Sequence, residues 1–560
     1  MPQAAASLIR STTSTIAGLA LATGLVFAQG PPEATGPPAP LSLRDRGGVH
    51  RPITTRSAQA QSFFDQGVLQ TFGFDHMEAI RAFQRAAELD PECAMAWWGI
   101  AFAAGPNINL PFMDEARSKL AWEAVEKARA HVERCTPVEQ ALVSAIEKRY
   151  AWPAPEDRRP LDEAFANAMR EVHHQFPDDP DVATWFAESL MDLRPWDLWS
   201  PSGEPRPETP EIVTVLEKVL AEHPNHPMAI HAYIHAVEAS PNPGRALAAA
   251  DRLRRRTPGS GHLLHMPSHI DIRVGHYPEA IAANTLGIEA DQMRVRRAGP
   301  GGFYAMYRAH NYHFLVYAAM FDGQRELAVT HAKRLVTELP LDVVREYRDY
   351  IEGFLATPYH AMVRFGMWSE ILCEPEPAAD LTVTKSFWHY ARGVAFSALG
   401  QVDEALAEQE AFERAFAEVP ETAYIGNNAA RVVLEIARPM LAGEIEYRKG
   451  NYDRAFELLR DGVARDDSLR YDEPWGWMQP VRHALGALLT EQGRYAEAEA
   501  VYRRDLELHP GNGWALHGLA QCLRMNGDAG EAATVDERFR TAWSRSDITL
   551  TASCFCARGK

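Results

Sequence analysis

One phrase returns along this chain. A glycine is followed by an aromatic or apolar residue, then an alanine, then apolar residues at helical spacing. GFDHMEAIRAF begins at Gly73, GHYPEAIAAN at Gly275, GQVDEALAEQ at Gly400, GNYDRAFELL at Gly450, GRYAEAEAVY at Gly493 and GDAGEAATVD at Gly527. The last two glycines are 34 residues apart. Glycine suits the left-handed C-terminus of a first helix. Alanine lets a second helix pack closely, and rows of apolar residues at i and i+4 bury it against its neighbours. One such pair cannot bury its own apolar face, so the units must stack. A chain of 560 residues is also too long for one compact core. An extended array of helix pairs satisfies both constraints.

These phrases resemble the tetratricopeptide repeat, with its Gly between two antiparallel helices and its small residue where they cross. The resemblance implies an all-α, right-handed α-solenoid of stacked tetratricopeptide-type helix pairs. With the Gly as anchor there are roughly nine to eleven units, starting near 60, 94, 227, 261, 309, 352, 386, 436, 479 and 513. Such arrays serve many functions, so the resemblance names none. Residues 105–200 fit less well. MDEARSKLAWEAVEKARAHV is helical by composition, and RPWDLWSPSGEPRPETP (194–210) reads as a loop in which Trp196 and Trp199 pack against an adjacent helix. The expected organisation is N-terminal helical repeats with an irregular insertion over 57–225, histidine-rich central repeats over 226–385, and C-terminal repeats over 386–560.

Ahead of the repeats, Arg10 precedes the apolar run IAGLALATGLVFA, which ends in small residues at Ala28. This order predicts a signal peptide over 1–28, export to the periplasm or beyond, and a soluble mature chain with no membrane span. GPPEATGPPAP predicts a disordered linker within 29–56. The net charge of -18 argues against nucleic acid and anionic membranes as partners. Six cysteines, at 93, 135, 373, 522, 554 and 556, show no CxxC spacing. They are expected to be buried or unpaired, since a bridge as tight as Cys554 to Cys556 would be strained.

The histidines carry the functional reading. GSGHLLHMPSHI places His262, His265 and His269 within seven residues, two helical turns, so their side chains share one stripe. In the tetratricopeptide resemblance these are positions 2, 5 and 9 of a first helix, which face the concave groove. The preceding repeat puts His231, His235 and Glu238 at positions 5, 9 and 12. The repeats after it put His310 and His313 at positions 2 and 5, and His360 at position 9. Eight histidines and one glutamate are therefore expected along one stretch of groove. Imidazoles at i, i+3 and i, i+4 are a standard way to hold a transition metal from a helix. Nitrogen-rich ligation in an exported protein points to copper first, then zinc or iron. Glu238 is expected to act as ligand, orienter or catalytic base. More than four candidates implies two metals or some histidines in orienting roles. Pro267 breaks the helix and aims His265 and His269 from two segments. The competing reading is a non-catalytic scaffold whose groove holds a small molecule, a peptide or a partner protein.

Other residues carry less. Asn107, Asn109, Glu188 and Tyr359 are candidates for the groove lining, and His76 sits at a turn between helices. Glu473 and Arg482, near YDEPWGWMQPVR, read as a surface ion pair. No phosphate loop, nucleophile elbow or HExxH motif is present. HAYIHAVEAS, HLLHMPSHI, DPECAMAWWGIA and AESLMDLRPWDLW together resemble a group of exported bacterial tetratricopeptide proteins, from which no reaction carries over.

Overall fold

The structure is a computed structural model that describes residues 38–557. It is an all-α array of antiparallel helix pairs. Among the described residues the only paired strands are the two-residue arms Tyr424–Ile425 and Asn428–Ala429. Helices begin at Ala58, Ala94, Pro227, Gly261, Tyr304, Thr357, Thr382, Ala430, Val481 and Gly513, each within about six residues of the expected repeat start. The poorly fitting region supplies further helices, Glu115–Ala130, Pro137–Ile146, Arg159–Gln175, Pro180–Met191 and Thr209–Glu222. Between the last two runs the loop that carries Trp196 and Trp199.

The repeat glycines do what their spacing implies. Gly275, Gly400, Gly450, Gly493 and Gly527 all take left-handed φ, between 76° and 89°, where a Cβ would be penalised. The first repeat departs from this. Gly73 has φ -97°, and Phe74 takes the left-handed conformation instead, at φ 55°.

The array winds tightly enough to touch itself. The Trp514 indole N–H donates to Met320 O at 2.8 Å. Arg545 pairs with Asp322 at 2.7 Å. Asp547 accepts from the Arg325 and Glu326 amides at 2.7 and 2.8 Å, capping helix Arg325–Glu338 from more than 220 residues away. A Cβ on Gly275 would meet Pro510 O at 2.3 Å, so that glycine also permits the close approach of the central and C-terminal repeats. The C-terminal repeats thus lie against the central helices.

Two expectations change. Residues 38–56, expected within a disordered linker, are packed. Leu41 and Val49 are buried, the Leu41 amide donates to Gln66 Oε1 at 2.8 Å, and Arg51 pairs with Asp179 and Asp181 at 2.8 and 2.9 Å. Their contacts are with distant residues, which local composition does not reveal. Cys554 and Cys556 are bridged, with Cα atoms 5.2 Å apart, in a tail laid over the last repeats by the Ser553 hydroxyl, which donates to His483 O. Cys93, Cys135 and Cys522 are free and buried, and Cys373 is free and exposed. The expected signal peptide and the start of the linker lie outside the described residues. Among the described residues no helix is long and apolar enough to cross a membrane.

Candidate metal centre

Helix Pro227–Val237, the pair of short helices Gly261–His265 and Pro267–Val274, and helix Tyr304–Phe321 bring the histidines together. Pro267 opens the second short helix at a position where a missing N–H costs nothing. His265 therefore closes one segment and His269 lies in the next. Gly261 sinks the first segment inward: a Cβ there would meet Asp291 Oδ1 at 2.1 Å and Gly287 O at 2.9 Å.

Six of the eight expected histidines meet. One ring nitrogen from each of His231, His235 and His262 lies within 4.8 Å of the others, and the same holds for His265, His269 and His310. His235 and His269 also form a group with Glu238 and Glu473. Except for half-buried His310, these histidines are no more than 4 % exposed, and Glu238 is fully buried. They form an enclosed centre, not the open groove surface that the repeat positions imply.

His313 and His360 do not join. His313 packs on Phe354, with ring centroids 5.3 Å apart, and His360 on Phe387 and Trp477 at 4.8 and 5.1 Å. The physical reason is which side of each helix faces the centre. Helix Tyr304–Phe321 starts five residues before the expected repeat start, and the helix bearing His360 starts five residues after it, at Thr357. His310, on the same helix as His313, does join: the two are three residues apart and point about 60° apart around the axis, so one meets His265 and the other Phe354.

The proton positions follow from the partners. Glu238 Oε1 lies 2.7 Å from His235 Nδ1 and Oε2 lies 2.8 Å from His269 Nδ1. The Tyr471 hydroxyl donates to Oε2 at 2.6 Å. Asn284 gives its amide N–H to Ala280 O, so its Oδ1, 2.7 Å from His265 Nδ1, is an acceptor. The Nδ1 atoms of His235, His265 and His269 therefore carry hydrogen, which leaves each Nε2 as the atom that takes up either a proton or a metal ion. His265 Nε2 and His269 Nε2 face each other at 2.6 Å. Two bare lone pairs cannot sit at that distance, so a hydrogen is shared between them; a metal ion held by both nitrogens at about 2.0–2.1 Å would replace that hydrogen and sit off their axis.

Electrostatics agrees. Burial opposes charge on His269, but Glu473 and Glu238 outweigh it and raise its pKa to about 10. Burial, then the charge of His269, holds His265 well below the usual imidazole range. Burial pushes Glu238 up, but His269 and the hydrogen bonds from His235 and His269 hold it well below the usual carboxylate range. Burial and then Glu238 hold Glu473 well above it.

Glu473 and Tyr471 are the residues that sequence reasoning missed. Glu473 does not pair with Arg482; it contacts His269 Nδ1, while Arg482 pairs with Asp467. Both Tyr471 and Glu473 lie on a loop more than 200 residues from Glu238 in sequence, delivered by the self-contact of the array. Their one local signal is that YDEPWGWMQP interrupts the repeat pattern.

Aromatic side chains close the other side. The Phe74 ring lies 4.7 Å from His231 and 4.9 Å from His262. Trp196, also at positive φ (59°), meets His235 edge-on at 5.2 Å. Its N–H donates to Asn109 Oδ1, and Asn109 donates to the Tyr307 hydroxyl. Trp199 donates to Ala236 O, and His76 stacks on Phe74. Of the remaining groove candidates, Asn107 holds its own turn through the Asn109 and Leu110 amides. Glu188 lies by Asp192 and Arg149, and Tyr359 belongs to the C-terminal core.

No curated protein matches this sequence. Among solved structures, the chain is similar to the human IFIT1 dimer with m7Gppp-AAAA at 10% identity and TM-score 0.35, covering 84% of this chain and 94% of that one. It is similar to yeast Tom70 at 12% identity and TM-score 0.28, covering 87% and 91%. The P58(IPK) TPR domain follows at 11% identity and TM-score 0.19, covering 86% and 93%. Residues 74–104 and 489–535 match the family model of the tetratricopeptide repeat.

Proposed function

We propose that this protein binds a transition metal inside its repeat array and that the centre is reactive, making it a metal-dependent enzyme. The observation that carries the reading is the His265–His269 pair, whose Nε2 atoms face each other at 2.6 Å while Asn284 and Glu238 occupy both Nδ1 atoms. Histidine ligands whose second nitrogen is fixed by a carboxylate or amide are the standard build of a metal centre. His310, whose ring lies 4.7 Å from His265 and 5.6 Å from His269, supplies the third nitrogen. Three nitrogen ligands leave a coordination position open, as reactive centres require and structural ones do not. A bound metal would supply Lewis-acid or redox chemistry there. The chain's own residues do the rest. Glu238 orients the rings and holds the Tyr471 proton, so its role is positioning and not that of the base. Phe74, Trp196 and Tyr307 keep water from the His231 side.

All-nitrogen ligation favours copper, with zinc and iron next. The array completes its core by stacking and needs no metal to fold. The test is elemental analysis of protein purified without a histidine tag. Wild type is expected to carry stoichiometric metal, and the His265→Ala/His269→Ala variant to lose it while keeping its helical circular dichroism. Undiminished metal in that variant would overturn the ligand set. A metal-free wild type that captures one defined peptide or protein would favour the scaffold reading instead.

We also infer export, from the apolar run that ends at Ala28. Mass analysis of the mature N-terminus should find cleavage near that residue; a mature chain that retains Met1 would refute it.

A further inference from the structure

We infer that the centre is dinuclear: His231, His235 and His262 form a second transition-metal site beside that of His265, His269 and His310, with Glu238 orienting one histidine in each. This rests on the metal-binding reading above and deepens it.

The six rings divide into two sets of three with no member in common. In the second set, His231 Nε2 and His262 Nε2 face each other at 3.0 Å, as in the first, but here the two Nδ1 atoms have no hydrogen-bond partner. Glu238 Oε1 takes the Nδ1 hydrogen of His235, which fixes a lone pair on His235 Nε2. That nitrogen is buried and has no partner in the protein. A buried unpaired polar atom destabilises the fold, and a metal ion beside the other two rings would satisfy it. Six imidazoles also exceed what one ion with an open position takes up, whereas three per ion is a common number.

The two sets abut. The His235 and His269 rings are 5.2 Å apart, and the His262 and His265 rings 5.6 Å. Glu238 spans them, one oxygen to each set. It is buried against the Nδ1 edge of one ring from each set and is positioned to set the orientation of both at once.

A second observation points to the same three residues. Phe74 and Trp196 are two of three non-glycine residues with positive φ among the described residues, and both rings lie on this set. In the later repeats the left-handed position belongs to glycine; in the first it belongs to Phe74. A bulky residue there is strained, and such strain concentrates where a site needs it. Here it drives an aromatic ring against His231 and His262. The chemical class that fits is a pair of first-row transition-metal ions, near enough to share one small ligand between them.

The test uses the full-length chain, stripped of metal by a chelator and titrated with Cu2+. Wild type is expected to bind two equivalents, with the second broadening the paramagnetic resonance signal of the first through their proximity. His231→Ala/His262→Ala and His265→Ala/His310→Ala are each expected to bind one. One equivalent in wild type, lost in either variant, would overturn the dinuclear inference and leave the metal-binding reading standing. No binding by wild type would overturn both. The wild-type stoichiometry decides the question even where a variant fails to fold.

Discussion

Glu238→Gln is expected to weaken metal binding by about 10–100-fold at alkaline pH, with little change in helical content. Glu238 accepts three hydrogens, from His235 Nδ1, His269 Nδ1 and the Tyr471 hydroxyl. Glutamine has one carbonyl oxygen, and its amide donates. One of the two Nδ1–H groups would therefore meet another donor, and that ring must turn or change tautomer. The pH dependence separates this from a merely structural loss. In the metal-free protein His269 is protonated, because Glu473 and Glu238 outweigh its burial and raise its pKa to about 10. A metal must displace that proton, so wild-type affinity should climb about tenfold per pH unit until the pH nears that pKa. Without the Glu238 charge the proton is held less firmly and competes less. The deficit of the variant should then shrink as the pH falls. Equal affinities at high pH, or a deficit that does not change with pH, would contradict this role. Folding of the metal-free chain runs the opposite way. The raised His269 pKa contributes stability that is fully present below the ordinary imidazole value and is lost as pH rises through about 10.

What the sequence shows of this molecule is what it encodes locally. The glycine and alanine of each unit act within a few residues, so helix starts at 94, 227, 261 and 513 can be read from spacing alone. His231, His235, His262, His265 and His269 are legible as a group because their helices are neighbours in the array and their spacing survives a small register error. His313 and His360 are not, because their sides of the helices face Phe354, and Phe387 with Trp477, neighbours that spacing alone does not reveal. Glu473 and Tyr471 are not legible, since the winding of the array, which no local pattern specifies, carries their loop to Glu238. The same winding turns the expected open groove into a buried centre. Phe74 is intermediate. GFDHMEA has one residue more between glycine and alanine than the later repeats do, and that extra residue moves the left-handed position from Gly73 onto Phe74.

Cutting the Asp75–Arg294 clasp from one side is expected to cost about 3–5 kcal/mol. The guanidinium donates twice to the carboxylate, Nε to Oδ2 and Nη2 to Oδ1, both at 3.1 Å, and both residues are buried. The contact joins positions 219 residues apart, the turn of the first repeat and helix Tyr277–Ala298. Arg294→Met leaves the Asp75 carboxylate buried without its cation. It also loses the hydrogen bond to Gly299 O and the stacking over Tyr304. In Asp75→Leu/Arg294→Met those secondary contacts are lost as well, but no unpaired charge remains. The double variant should therefore be more stable than the single, read as a higher urea midpoint. A single variant within about 1 kcal/mol of wild type, or a double variant less stable than the single, would show that the clasp does not carry this load. The functional consequence is local. Asp75 anchors the turn that holds Phe74 at positive φ against His231 and His262. Releasing it lets that ring withdraw, so the His231, His235 and His262 site should weaken while the His265, His269 and His310 site, on the far side of Glu238, keeps its affinity.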